Sequence, residues 1–126
     1  MAAGKYTFTI EQGATFQLEL QYKDGNNNPI DLASYQGRMQ VRPSVTDSNI
    51  LLSLSSSLQP DGTGLNFSGS NGTTPPTSGS IGVYISAATS SMLTFNEAVY
   101  DLEIYSGSYV VRLLEGKVRL SKEVTR

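Results

Sequence analysis

A chain of 126 residues with 38% hydrophobic content fits one domain with a modest core, and its net charge of −2 gives no broad basic field for nucleic acid. It contains no cysteine and no histidine, which excludes disulfides, thiolate or imidazole metal sites, and Ser-His-Asp or Cys-His catalysis built from this chain alone. Met1-Ala2-Ala3-Gly4-Lys5 leads straight into strand-like residues without an apolar leader, and no run reaches the ~20 residues of a membrane helix, so a soluble protein made in a reducing compartment is expected.

Tyr6, Phe8 and Ile10 alternate with Thr7 and Thr9, predicting a first strand over 5–10. Phe16, Leu18, Leu20 and Tyr22 alternate with Gln17, Glu19 and Gln21 in a second strand over 14–23, after a turn or bulge at Glu11-Gln12-Gly13. Asp24-Gly25-Asn26-Asn27-Asn28-Pro29 is turn chemistry between antiparallel neighbours, and Pro29 cannot donate to a ladder. A corner over 30–35 follows, where Asp31 is placed to accept from nearby backbone N–H groups. A third strand covers 36–42 and stops at Pro43; a fourth covers 49–54, with Ile50, Leu52 and Leu54 on one side.

Residues 55–80 are rich in Ser, Gly and Pro, interrupted only by a short strand at Leu65-Asn66-Phe67. The segment 68–79 reads as an exposed loop that orders against a partner, and its excision is expected to leave the domain folded. Ile81, Val83 and Ile85 alternate in the next strand, and Ser86 is a candidate N-cap for one helical turn over 87–93. Tyr100, Leu102 and Ile104 alternate with Asp101, Glu103 and Tyr105 over 98–105. Ser106-Gly107 marks a hairpin turn into a last strand, whose alternation slips at Glu115-Gly116 as a bulge would make it. About eight strands in one domain spanning 1–126 predict an all-β, immunoglobulin-like antiparallel β-sandwich without the Cys–Trp–Cys marks.

Candidate sites have bland and functional readings side by side. Asp24-x-Asn26-x-Asn28 starts like a calcium loop, but Pro29 and Tyr35 stand where such a loop needs Gly and Glu, so a turn is the better reading. Asp101 and Glu103 are about 7 Å apart along a strand, a spacing usable in glycoside hydrolysis, against the ordinary reading of a solvated strand face. Arg38 and Arg42 share a face with Gln40, while Arg112, Lys117, Arg119, Lys122 and Arg126 crowd the C-terminal end. They form either a charge-paired, solvated face or a basic strip that docks on an acidic protein surface; nucleic acid is a distant third, because aromatic interleaving is sparse. Asn66-Phe67-Ser68 and Asn71-Gly72-Thr73 match the glycosylation sequon, which chance explains in a Ser/Thr-rich segment. Of seven tyrosines, Tyr6, Tyr22 and Tyr100 fall on core-facing positions, and Tyr84, Tyr105 and Tyr109 are the interface candidates.

Several segments also occur in a familiar order. They are Gly13-Ala14-Thr15-Phe16, Pro29-Ile30-Asp31-Leu32, Gly37-Arg38-Met39-Gln40-Val41-Arg42, Gly79-Ser80-Ile81 with Ile85-Ser86-Ala87, Tyr100-Asp101-Leu102-Glu103-Ile104, and Val111 to Val118 with the closing Glu123-Val124-Thr125-Arg126. This order resembles small virion proteins of tailed bacteriophages and the N-terminal immunoglobulin-like module of their baseplate upper and fibre-anchoring proteins. The resemblance implies a sandwich that assembles in several copies with tail, baseplate or fibre subunits in a virion built in the host cytoplasm. It brings no catalytic residue, cofactor, metal, nucleic acid or membrane. A head or neck decoration protein, and a carbohydrate-binding sandwich for host recognition, are the alternatives.

Overall fold

The computed structural model describes residues 4–69, 72–73 and 75–124. Nine strands are found among them: β1 (Gly4–Lys5), β2 (Phe8–Glu11), β3 (Phe16–Gln21), β4 (Gln36–Arg42), β5 (Leu52–Ser55), β6 (Gly64–Asn66), β7 (Ser80–Ile85), β8 (Glu97–Ser106) and β9 (Tyr109–Ser121). A 3-10 turn covers Pro76–Ser78, and an α-helix, α1, covers Ala87–Ser91. The strands form a six-stranded sheet in the order β1-β9-β8-β4-β5, with β2 also on β9, and a three-stranded sheet in the order β3-β7-β6. The two layers make an all-β sandwich.

Alternation explains the layers. In β4, Gly37, Met39 and Val41 are buried, and in β8, Ala98, Tyr100, Leu102 and Ile104 are buried, while the residues between them face out. From the smaller sheet Ile81, Val83, Ile85 and Leu65 point to the same interior, which Leu32 closes from the corner. Each such aliphatic side chain contributes about 1.5–3 kcal/mol by leaving water. Phe8 joins the layers, with its ring 5.0 Å from Phe16 across the core and 4.8 Å edge-on to Tyr100.

The N-terminal segment departs from the expected antiparallel arrangement. β1 and β2 both run parallel to β9, Gly4 opposite Leu114 and Phe8 opposite Val118. The expected single strand over 5–10 is broken at Tyr6-Thr7, which raises the strand count to nine. At this break the chain presses on Gly116: a Cβ there would stand 2.1 Å from the Tyr6 carbonyl oxygen, so only glycine permits the approach. Tyr6 N–H donates to the Glu115 carbonyl at 3.1 Å, and the Tyr100 hydroxyl donates to the Tyr6 carbonyl at 2.7 Å. Burial and nearby Tyr6 push the Tyr100 hydroxyl pKa up to about 12. Tyr6 itself is 45% exposed, which corrects its assignment to the core. Gly116 therefore marks the seat of the N-terminal crossover; the β9 bulge lies earlier, at the register shift opposite Leu102 and Glu103, where Leu113 is the extra residue.

Other elements follow their local chemistry. The hairpin turn is Gly107-Ser108, between paired Ser106 and Tyr109, with φ +59° at Gly107 as a tight two-residue hairpin requires at its first position. Ser86 caps α1, its Oγ accepting from Thr89 N–H at 3.1 Å. Asp24 Oδ1 accepts from the N–H groups of Asn26 and Asn28, which makes the 24–29 segment an Asp-anchored turn, and Asp31 likewise accepts from Ala33 N–H. β5 begins at Leu52, and Ile50 is left 48% exposed because Pro43 and the turn after it delay the pairing with β4.

The reading of 68–79 as an exposed loop is corrected over 76–79. Leu32 N–H donates to the Pro76 carbonyl at 3.0 Å, Tyr22 N–H to the Gly79 carbonyl at 2.7 Å, and Gly79 is buried. This stretch fastens the 22–32 segment to the sandwich, so excision through residue 79 removes backbone partners from Tyr22 and Leu32.

Two outcomes test the N-terminal clamp. Gly116→Ala is expected to lower unfolding free energy by about 1–3 kcal/mol through the clash with Tyr6, read in denaturant titrations. Because the Tyr100 proton is held more tightly folded than unfolded, stability should fall as pH rises from 10.0 towards about 12, and Tyr100→Phe should lose less across that window. Equal alkaline losses in the two proteins would contradict the assignment.

Candidate functional site

The outward positions of β4, β8 and β9 gather most of the chain's basic side chains. Register sets Arg38 beside Glu103 and Glu103 beside Arg112, Gln40 beside Asp101 and Asp101 beside Glu115, and Arg42 beside Val99 and Val99 beside Lys117. Arg119 follows on β9, opposite Glu97. Five predicted interface residues, Arg38, Arg42, Arg112, Lys117 and Arg119, thus lie on one sheet face although they come from two distant segments. A broad depression of about 730 Å³ runs across it, lined among others by Arg38, Arg42, Asp101, Glu103, Arg112 and Lys117.

The face is a network of ion pairs. Arg38 Nε donates to Glu103 Oε1 at 2.9 Å, and its guanidinium carbon stands 4.7 Å over the Tyr105 ring. Tyr105 is therefore on the same face, its hydroxyl donating to Gln36 Oε1 at 3.0 Å. Arg112 Nε is 3.6 Å from Asp101 and 3.9 Å from Glu103, and its Nη1 is 3.9 Å from Glu115. Lys5 reaches Glu115 at 3.3 Å, and Glu97 receives Arg119 at 3.1 Å and Lys117 at 3.8 Å. Such exposed pairs contribute at most about 1 kcal/mol each and orient the side chains more than they stabilise the fold. Burial, together with Glu103 and Glu115, raises the Asp101 pKa against the opposing pull of Arg112 and Arg42.

The remaining candidates are dispersed. Tyr84 is half-buried on β7 in the other sheet, between Gln17 and Gly64 in register. Tyr109 is 61% exposed at the hairpin end, with its ring 6.5 Å from Tyr35. Tyr22 is near enough to both for their charges to raise its pKa, after burial as the main cause. Lys122 donates to the Thr94 carbonyl and stands off the ionic face. Arg126 and Asn71 of the second sequon lie outside the described residues. Among the described residues no cluster of carboxylates has metal-holding geometry.

Of the acidic half of this face, sequence reasoning named Asp101 and Glu103, and the ion pairs are those of the charge-paired reading weighed for the basic residues. Glu97 and Glu115 were not singled out as partners, and Tyr35 was not recognised as the neighbour of Tyr109. The alternation that puts Asp101 and Glu103 outward was a usable signal, but pairing them with Arg112 and Glu115 required the register past the bulge. No protein-family model matches the chain, and no curated protein matches it significantly.

Asp101 ionises at a cost to the fold. Its proton is held more tightly folded than unfolded, so the penalty is absent in acid below the usual aspartate range and present at neutral pH. Asp101→Asn is expected to match or exceed wild-type stability at neutral pH and to lose that advantage in acid, as followed by urea melts. A variant that is less stable at neutral pH would refute this.

Proposed function

We propose that this chain is a non-enzymatic structural subunit of a tailed-phage particle, a tail or baseplate adaptor or fibre-attachment module that docks to other virion proteins in several copies. The observation that carries the reading is convergence. The segments on which the resemblance rests are the framework of the sandwich, and two of them, 37–42 and 111–118, place Arg38, Arg42, Arg112 and Lys117 on one broad exposed face. Arg38, Arg112 and Lys117 are held in ion pairs with carboxylates of that face, while Arg42 donates to Gln40 and to the Asp47 carbonyl, as suits a recognition surface whose charges orient a neighbour. β5 at one margin of the larger sheet and β3 and β6 at the margins of the smaller one add strand edges to which a second chain can bind. No step of this role requires a cofactor.

Tyr22, Tyr35 and Tyr109, gathered at one end of the sandwich, favour a second reading as a carbohydrate-binding module, since rings at such an end can stack on sugars. The two readings separate by experiment. Mass spectrometry and a density map of purified particles are expected to show the sandwich in tail or baseplate density against neighbouring subunits. Its absence from particles, with glycan binding lost in Tyr109→Ala, would replace the first reading by the second.

A further inference from the structure

The two sheets differ in width, and the difference leaves one side of β3 uncovered. The larger sheet has five columns of strands, with β1 and β2 sharing the outermost beside β9, and the smaller sheet has three. On the β5 flank the layers meet: Gly37 of β4 lies against Leu65 and Phe67, and Gly64 of β6 lies against the Ser55 carbonyl. The shortfall therefore falls on the opposite flank, where no described strand continues the smaller sheet past β3 over the β1/β2 column. The cause is the path of the N-terminal segment. Only residues 12–15 separate β2 from β3, yet β2 pairs with β9 instead of forming a hairpin with β3.

Burial follows the same asymmetry. Phe16, Leu18 and Leu20 are only half-buried, whereas Ile85, Val83 and Ile81, their register partners on β7, are at most 2% exposed. On β9, Val111 and Leu114 point inward opposite Ile104 and Leu102 and are half-buried too, unlike Val118, which β2 flanks. The backbone of β3 is in phase with this open groove. Tyr22 N–H donates to the Gly79 carbonyl, which continues the β3–β7 register as a hydrogen-bonded pair. Such pairs alternate along an antiparallel ladder, so Leu20, Leu18 and Phe16 exchange bonds with β7. The N–H and C=O groups of Gln17 and Gln21 then point to the open side. Among the described residues β3 is also the longest edge strand, with six residues against four or fewer for β1, β2, β5 and β6. It carries no proline, lysine or bulge, the devices that block edge pairing.

We infer that the open edge of β3 takes up one extended segment of a neighbouring subunit as an added strand, with apolar residues at alternate positions. The main chain of that segment bonds to Gln17 and Gln21, and its inward side chains cover Leu18, Leu20, Val111 and Leu114. A second folded copy fits worse. Its own β1/β2 column would meet this one before the two β3 edges came within the roughly 4.8 Å spacing of a ladder. Six residues of edge also fall short of the roughly 800 Å² per partner that a stable contact between folded proteins buries. A single strand needs less area, because backbone hydrogen bonds supply much of its affinity. The inference deepens the proposed docking role and rests on it only for the origin of the segment.

A soluble peptide of alternating valine and threonine with a lysine at each end is the probe, and amide hydrogen exchange on the full chain, resolved by NMR, is the readout. In the free chain the Gln17 and Gln21 amides are expected to exchange at least about tenfold faster than those of Leu18 and Leu20. Added peptide should slow Gln17 and Gln21 at least about tenfold and leave Leu18 and Leu20 as they were. Gln17→Pro removes an outward N–H that β7 does not use, a change that edge strands tolerate, and should weaken peptide binding at least about tenfold. If that variant fails to fold by circular dichroism, the amides protected in the wild type decide alone. Four results would overturn the inference: slow Gln17 and Gln21 amides in the free chain, no binding at millimolar peptide, protection at β5 or β6 instead, or a folded Gln17→Pro chain that binds as the wild type does. Presence in purified particles is a separate readout. A chain found in particles that does not bind the peptide refutes the strand site alone, and a chain that binds the peptide but is absent from particles refutes the virion reading alone.

Discussion

The register of β8 against β4 and β9 is the constraint on which both the core and the ionic face depend. Tyr100, Leu102 and Ile104 point inward because Asp101, Glu103 and Tyr105 point outward, and the period of two leaves no third choice. A slip of one residue would bury two carboxylates and expose the aliphatic centre of the sandwich. Register is therefore strongly specified, and the charge pattern outside is as fixed as the packing inside. The bulge at Leu113 lets β9 keep that correspondence on both sides of its irregularity, so that Arg112 and Glu115 end on the same face.

The same ladder accounts for the way the N-terminus is held. Tyr100 sits opposite Gly116, and the missing side chain at Gly116 is replaced by the backbone of Tyr6, which the Tyr100 hydroxyl then binds. A buried hydroxyl without this acceptor would cost the desolvation of a polar group, about 1–3 kcal/mol. The first strands are thus tied to the centre of the sheet by a glycine, a phenol and one carbonyl. Among the described residues every buried side-chain polar atom has a hydrogen-bond partner.

Electrostatically the chain is nearly balanced overall, yet its cations are unevenly placed. The larger sheet's outer face holds Lys5, Arg38, Arg42, Arg112, Lys117 and Arg119 together with Glu97, Asp101, Glu103 and Glu115. A mixed face of this kind suits selection of a partner with a matching pattern better than broad attraction of polyanions, and this is why a docking role fits it better than nucleic-acid binding.

Alternation alone determined the β class, the inward sets of β4, β7 and β8 and the outward position of Arg38, Arg42, Asp101 and Glu103, because side-chain direction in a strand is a local property, and N-cap chemistry at Ser86 marked the capped turn. Which strand lies beside which was not local. That the first strands run parallel to the last, that Arg112 lands between Asp101 and Glu103, and that Pro76–Ser78 pins the 22–32 segment came only from tertiary structure. The first and last of these contacts join residues tens of positions apart, a constraint that no short window of sequence contains, while Arg112 is near its partners in sequence but takes its face from the bulge at Leu113.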